Sequence, residues 1–221
     1  MKDTELYQHL LGISSPWVVE RVELQAKDGR VDVFASHPKG VEWPCPKCGR
    51  KLTTFDHAEE RVWRHLDSCQ FKTYLHARAP RVDCPTDGRQ QVAVPWAETY
   101  SRFAAHFEVR AIDTIQEAPV KGAAKILDTS WDEAMNIMER AVERGREVKA
   151  KAPPKLRLMG VDEKAVGYGQ DYMTLVYNLE EGTVEWIGEE RKKETLDQFF
   201  QSLTSAQLTA IEGVALDMTV S

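Results

Sequence analysis

Residues 45–49 read Cys-Pro-Lys-Cys-Gly, and residues 84–88 read Cys-Pro-Thr-Asp-Gly. Each is a knuckle in which two residues separate two donor side chains, so both can point at one ion. The glycine after the second donor permits the tight backbone turn that brings them round. Zinc takes four ligands, so Cys45, Cys48, Cys84 and Asp87 form the candidate metal set. Asp87 is the weaker member, an oxygen donor among thiolates. Cys69 competes for the fourth place. It precedes Cys84 by 15 residues, and an extended run at ~3.3 Å per residue would carry the two tens of ångströms apart. That favours Cys84 with Asp87, unless the intervening strand is strongly bent. The bland alternative is a set of buried cysteines with no metal.

On the N-terminal side of the knuckles the pattern is that of strands. A short helix over residues 4–11 is followed by WVVERVELQ (17–25) and RVDVFAS (30–36), which alternate apolar and polar residues around Lys27-Asp28-Gly29. Period two around an Asp-Gly turn predicts a hairpin. Between the knuckles, residues 61–66 and 71–78 predict two further strands joined near Asp67-Ser68.

Beyond the second knuckle the period becomes helical. Phe107, Ala111, Ile112 and Ile115 lie on one face of a first helix. Pro119 opens a second, with Val120, Ala123, Ala124 and Leu127 at i, i+3, i+4 and i+7. After a break at Asp128-Thr129, Ser130 and Glu133 form a capping box for a third. Its apolar face is read as Trp131, Ala134, Met135, Met138 and Val142. Three short helices with a tight break before the third match a DNA-reading helix-turn-helix, whose last helix lies in the major groove. Thr129, Ser130, Asn136 and Arg140 are the candidate DNA-facing residues, because Asn can pair with adenine and Arg with guanine. Asp132 and Glu133 count against this, since carboxylates are repelled by phosphate. An ordinary three-helix core with a solvated face would give much the same pattern.

Residues 145–154, GREVKAKAPP, read as a basic, proline-broken linker. The order then becomes β, β, β, α, β: residues 156–162, 172–178 and 183–187, a helix with Leu196, Phe199, Phe200 and Leu203 on one face, and residues 211–217. The first and last strands, LRLMGVD and IEGVALD, each end in aspartate. If they lie side by side, Asp162 and Asp217 emerge near one edge, where two carboxylates can hold the magnesium ions of phosphodiester chemistry. Strand-terminal acids that merely cap loops are the alternative. So short a sheet is expected to leave an unpaired edge and the apolar helix face uncovered.

Composition sets the outer bounds. With 221 residues, 42% hydrophobic and 29% charged, the chain suits a few small folded domains and not wholesale disorder. The start, MKDTELYQHLLGI, is acidic and lacks an apolar core, and no later run is long enough to span a membrane. The expected location is therefore cytoplasmic, where four cysteines serve metal binding better than disulfides. Net charge is −6, but residues 153–221 hold 12 acidic and 6 basic side chains, so the acid collects where a metal-dependent nuclease would want it.

In this order the motifs resemble the insertion-sequence L-three family of transposases. The matching stretches are PCPKCG, WRHLDSCQF, HARAPRVDCP, the segment Gln91–Trp96, the region around AAKILDTSWD, and GVDEKAVGYG. The resemblance implies an α+β multidomain chain: a β-rich zinc-binding module over 1–99, a three-helix helix-turn-helix over 100–150, and a partial RNase H-like DDE domain over 155–221. It implies structural Zn²⁺, catalytic Mg²⁺, and double-stranded DNA at the element's terminal inverted repeats as partner. A second copy or a full-length transposase is the expected protein partner, and no membrane is. Asp162 would be the first catalytic aspartate and Asp217 the second. The sequence departs from the family at Asp87, where His is common. The third family acid, a Glu on a helix downstream of the second Asp, does not appear before Ser221. On this reading the chain is C-terminally truncated and catalytically incomplete, with a non-catalytic DNA-binding regulator of transposition as the alternative.

Overall fold

A computed structural model describes residues 2–151, 155–167 and 171–216. The chain divides into two compact units, residues 1–143 and 144–221.

The first unit opens with helix α1 (Asp3–Leu10) and the expected hairpin. Strand β1 (Val18–Gln25) pairs antiparallel with β2 (Arg30–Ser36). The turn between them is closed by Gly29 at φ 61, a left-handed conformation that favours glycine. Strands β5 (Asp56–Arg64) and β6 (Lys72–Cys84) are both longer than the sequence suggests. The sheet runs β1-β2-β6-β5, with β6 parallel to β2 and antiparallel to β5. Strand β7 (Gly88–Gln91) folds back on the end of β6. A separate two-stranded ladder joins β3 (Glu42–Pro44) and β4 (Lys51–Thr53). The core gathers Trp17, Val33, Trp43, Trp63, Leu75, Val82 and Trp96. Indole rings of Trp17 and Trp63 meet Trp96 edge-on at 4.8 and 5.6 Å, the geometry aromatic quadrupoles favour.

Helices α2 (Ala105–Glu117), α3 (Val120–Leu127) and α4 (Trp131–Lys151) follow. Phe107, Ala111, Ala123, Ala124 and Leu127 are buried as their periods require. Pro119 sits one place earlier than expected, as the N-cap of α3. The face of α4 needs correction. Ala134 and Ile137 are its buried positions, whereas Trp131 and Val142 are 52% and 55% exposed. At 3.6 residues per turn, Ala134, Ile137 and Ala141 share a stripe, and Trp131 and Val142 fall on its edge. The helix also continues through Lys151, where a linker is expected from Gly145 onward. The Gly145 penalty of about 1 kcal/mol is tolerated inside a run of good helix formers.

In the second unit, β8 (Leu158–Ala165), β9 (Tyr172–Asn178) and β10 (Thr183–Glu189) form an antiparallel meander. Helices α5 (Lys193–Ser202) and α6 (Ser205–Ala210) lead to β11 (Gly213–Leu216), which pairs parallel to β8. Sheet order is β10-β9-β8-β11. The apolar face of α5 is not left uncovered: Phe199 is buried with Met159 and Val176 of the sheet, and Leu196, Phe200 and Leu203 pack around them. Among the described residues no helix is long and apolar enough to cross a membrane.

Candidate metal centre and DNA-facing helix

Both knuckles are built as turns at strand ends. In the first, Cys45 follows β3. Its amide donates to the Arg50 carbonyl at 2.8 Å, and the Gly49 amide donates back to the Cys45 carbonyl at 2.8 Å. Gly49 has φ 73. In the second, Cys84 ends β6 and pairs with Gly88, which opens β7 at φ 69. These left-handed positions are why a glycine follows each donor pair.

The two turns bring Cys45, Cys48, Cys84 and Asp87 together, their donor atoms all within 4.8 Å of one another. Cys48 Sγ lies 3.5 Å from Cys84 Sγ. Asp87 Oδ2 lies 3.5 Å from Cys45 Sγ and 3.3 Å from Cys84 Sγ. Around one tetrahedral zinc, at about 2.3 Å to sulfur and about 2.1 Å to oxygen, donors stand roughly 3.6–3.8 Å apart. The three short separations fit such an ion with shifts of a few tenths of an ångström, and the wider ones, within 4.8 Å, close by up to about 1 Å. Asp87 pushes the Cys48 thiol up to about 12, and the thiols of Cys48 and Cys84 hold the Asp87 carboxyl below its ordinary range. A divalent cation reverses that conflict, since it takes all four donors as anions. Cys69 stands apart, exposed at φ 57 in the turn between β5 and β6, and is not among the four.

The turn before α4 is formed by Asp128 in the left-handed region, φ 51, whose carboxylate pairs with Lys72. The capping box is present: the Glu133 amide donates to Ser130 Oγ at 3.1 Å, and the Ser130 amide donates to the Glu133 carboxylate at 2.9 Å. Glu133, an objection to phosphate contact in the sequence, is thus tied to the helix start. Asn136 is exposed, opposite the buried stripe, and Thr129 is half-buried. Arg140 is engaged: its Nη2 donates to Glu108 Oε1 at 2.6 Å. Reading a base with Arg140 would require breaking that pair. Lys121 and Lys125 of α3 and Trp131 of α4 are exposed. Trp131 was hidden in the sequence because it completes an apparent apolar period.

Asp162 is exposed on β8, its Oδ1 accepting from the Glu163 amide at 2.8 Å. Val161 and Leu216 are register partners across β8 and β11. Asp217 lies outside the described residues. Glu212 is bound to Arg157 through both carboxylate oxygens, at 2.8 and 2.9 Å.

Three family profiles match the chain in succession. Residues 42–87 match the zinc-finger of transposase IS204/IS1001/IS1096/IS1165, residues 92–142 the helix-turn-helix domain of transposase family ISL3, and residues 159–221 the ISL3 transposase domain. The chain is 30% identical, over 98% of its length, to the transposase for insertion sequence element IS1557 of Mycobacterium tuberculosis, covering 50% of that protein. It is 26% identical, over its full length, to the transposase for insertion sequence element IS1001 of Bordetella parapertussis, covering 54%. It spans about half the length of the curated relatives it matches. No solved structure matches. Carrying the zinc ribbon, the helix-turn-helix and the DDE transposase region in the family's order, this chain belongs to the ISL3 transposases.

Proposed function

We propose that this chain recognises double-stranded DNA at the terminal inverted repeats of its insertion sequence, as the DNA-binding part of a DDE transposase. The observation that carries the reading is α4, whose start is fixed by the capping box and whose Asn136 is exposed opposite the buried stripe, with Lys121, Lys125 and Trp131 also exposed on α3 and α4. Lysines at the rim neutralise phosphates without reading sequence, and Asn136 with Thr129 and Ser130 supplies base-edge discrimination. Arg140 contributes through Glu108, or reads a base after leaving it. Cys45, Cys48, Cys84 and Asp87 hold one structural zinc that pins the two hairpin turns together. Fluorescence anisotropy with a repeat-end duplex and a scrambled duplex across a salt series tests the reading.

We read the second unit as the opening of an RNase H-like DDE domain, on the grounds of three antiparallel strands, a helical crossover, and a last strand parallel to the first. Asp162 and Asp217 are its first two metal-binding carboxylates. Each directly follows, in sequence, one of the register partners Val161 and Leu216. Bound Mg²⁺ would activate the attacking hydroxyl and stabilise the leaving oxygen. Asp162, exposed and oriented by the Glu163 amide, is the carboxylate this chain offers to it.

A further inference from the structure

A second cluster of metal-ligating side chains lies away from the four-donor knuckles. His37 follows the end of β2 and His57 lies in β5, on either side of the central strand β6. Between them β6 carries small residues, Ala77 and Ala79. The two rings meet with Nε2 atoms 3.0 Å apart. Their centroids are 5.1 Å apart and their planes 24° apart, so the rings approach nitrogen to nitrogen and not face over face.

His37 is held in place from three directions. Trp17 and Trp43 pack edge-on to its ring at 5.3 and 5.0 Å. Its Nδ1 lies 3.0 Å from the Pro38 carbonyl oxygen, which can only accept. Nδ1 therefore carries the hydrogen, and Nε2 presents a lone pair to His57. A backbone carbonyl holding the far nitrogen of an imidazole is the arrangement that orients histidine ligands on metals. Strand β5 has a bulge between His57 and Glu60. Arg78 Nε donates to the Ala58 carbonyl there at 3.3 Å. Bulges re-aim the side chains beside them.

The pair opens onto a cavity of about 640 Å³ whose lining includes Glu20, Glu60 and His76. Arg21 and Arg78 also line it, and their charge opposes a bound cation, which the imidazole nitrogens must outweigh. Arg21 pairs with Glu23 at 3.1 Å and lies over the Phe34 ring, and Arg78 holds the bulge. His76 is taken up by Asp32 and by one oxygen of Glu60, at 2.6 and 3.2 Å, so the donors open to the space are His37, His57, Glu20 and the second Glu60 oxygen. Two nitrogens on one tetrahedral zinc, at about 2.0–2.1 Å each, stand roughly 3.3 Å apart. The observed 3.0 Å is a small opening away.

We propose that His37 and His57 together hold a second, exchangeable divalent transition-metal ion of the imidazole-preferring class: zinc, nickel or copper. Water completes its shell and links it to the Glu60 carboxylate.

The test uses the full chain with its zinc loaded, titrated with Ni²⁺ by calorimetry. One equivalent of nickel should bind while zinc content stays constant. His57→Ala, a change at an exposed position, should weaken nickel by more than about tenfold, and Cys69→Ser should leave it unaltered. A second readout needs no variant: nickel should protect His37 and His57 of the unaltered chain from acylation by diethylpyrocarbonate, followed by mass spectrometry. The proposal is overturned by the absence of nickel binding, by binding that His57→Ala leaves intact, by zinc released in step with nickel uptake, or by equal acylation of both histidines with and without nickel. If His57→Ala fails to fold, the protection experiment decides.

Discussion

Arg140 on α4 and Glu108 on α2 form an ion pair, Nη2 to Oε1 at 2.6 Å, around a carboxylate that is only 4% exposed. The Ser101 hydroxyl donates to the same oxygen at 2.7 Å. A buried carboxylate with these partners ties the first helix of the three to the third. Truncating the arginine removes one charged partner of that buried carboxylate.

Arg140→Ala should therefore lower unfolding free energy. Loss of one partner of a fully buried pair costs about 3–5 kcal/mol, and the partial exposure of Arg140 reduces the expected loss to about 1–3 kcal/mol. Urea denaturation measures it. Pairing the change with Glu108→Leu should restore most of the loss. A lower DNA affinity with unaltered stability would instead make Arg140 a base reader.

One tightly held zinc per chain is expected in elemental analysis after exhaustive dialysis. Cys84→Ser should release it, whereas Cys69→Ser should retain it. Asp87→Cys should tighten it, because thiolate is the better donor in structural sites. Retention in Cys84→Ser with loss in Cys69→Ser would overturn the assignment.

Stability should fall in mild acid because of His65. Its ring is 1% exposed with neither nitrogen hydrogen-bonded among the described residues, and it faces His106 edge-on at 5.5 Å. Burial pushes its pKa down to about 4. The unfolded chain protonates it near 6.5 while the folded chain does not, so its stabilising contribution is full above pH 6.5 and disappears as pH falls toward 4. Between pH 7 and pH 5 the loss is about 2 kcal/mol. His65→Met should flatten that part of the pH dependence. An unaltered slope would assign the effect to other groups.

Knuckle spacing placed Cys45, Cys48, Cys84 and Asp87 because a two-residue gap and a following glycine determine a local turn, and strand geometry separated Cys69. The Ser130–Glu133 capping box was legible for the same reason: it is local. The orientation of α4 was not. Trp131 and Val142 fit an apolar period nearly as well as Ile137, and only packing against α2 and α3 distinguishes them. The Glu108 partner of Arg140 lies 32 residues away, and nothing in either local sequence announces it. The His37–His57 pair depends on β2 and β5 flanking β6, one parallel and one antiparallel to it, a long-range arrangement that no short window encodes.

The central claim is sequence-specific DNA recognition by α4, and Asn136→Ala on an otherwise intact chain tests it most directly. Anisotropy titrations at several salt concentrations should show the unaltered chain binding the repeat-end duplex more tightly than a scrambled duplex. The substitution should remove about 1–3 kcal/mol of that preference while leaving urea stability and the salt slope unaltered. Equal affinity for both duplexes at every salt concentration, or an Asn136→Ala chain that keeps the full preference, would contradict the account.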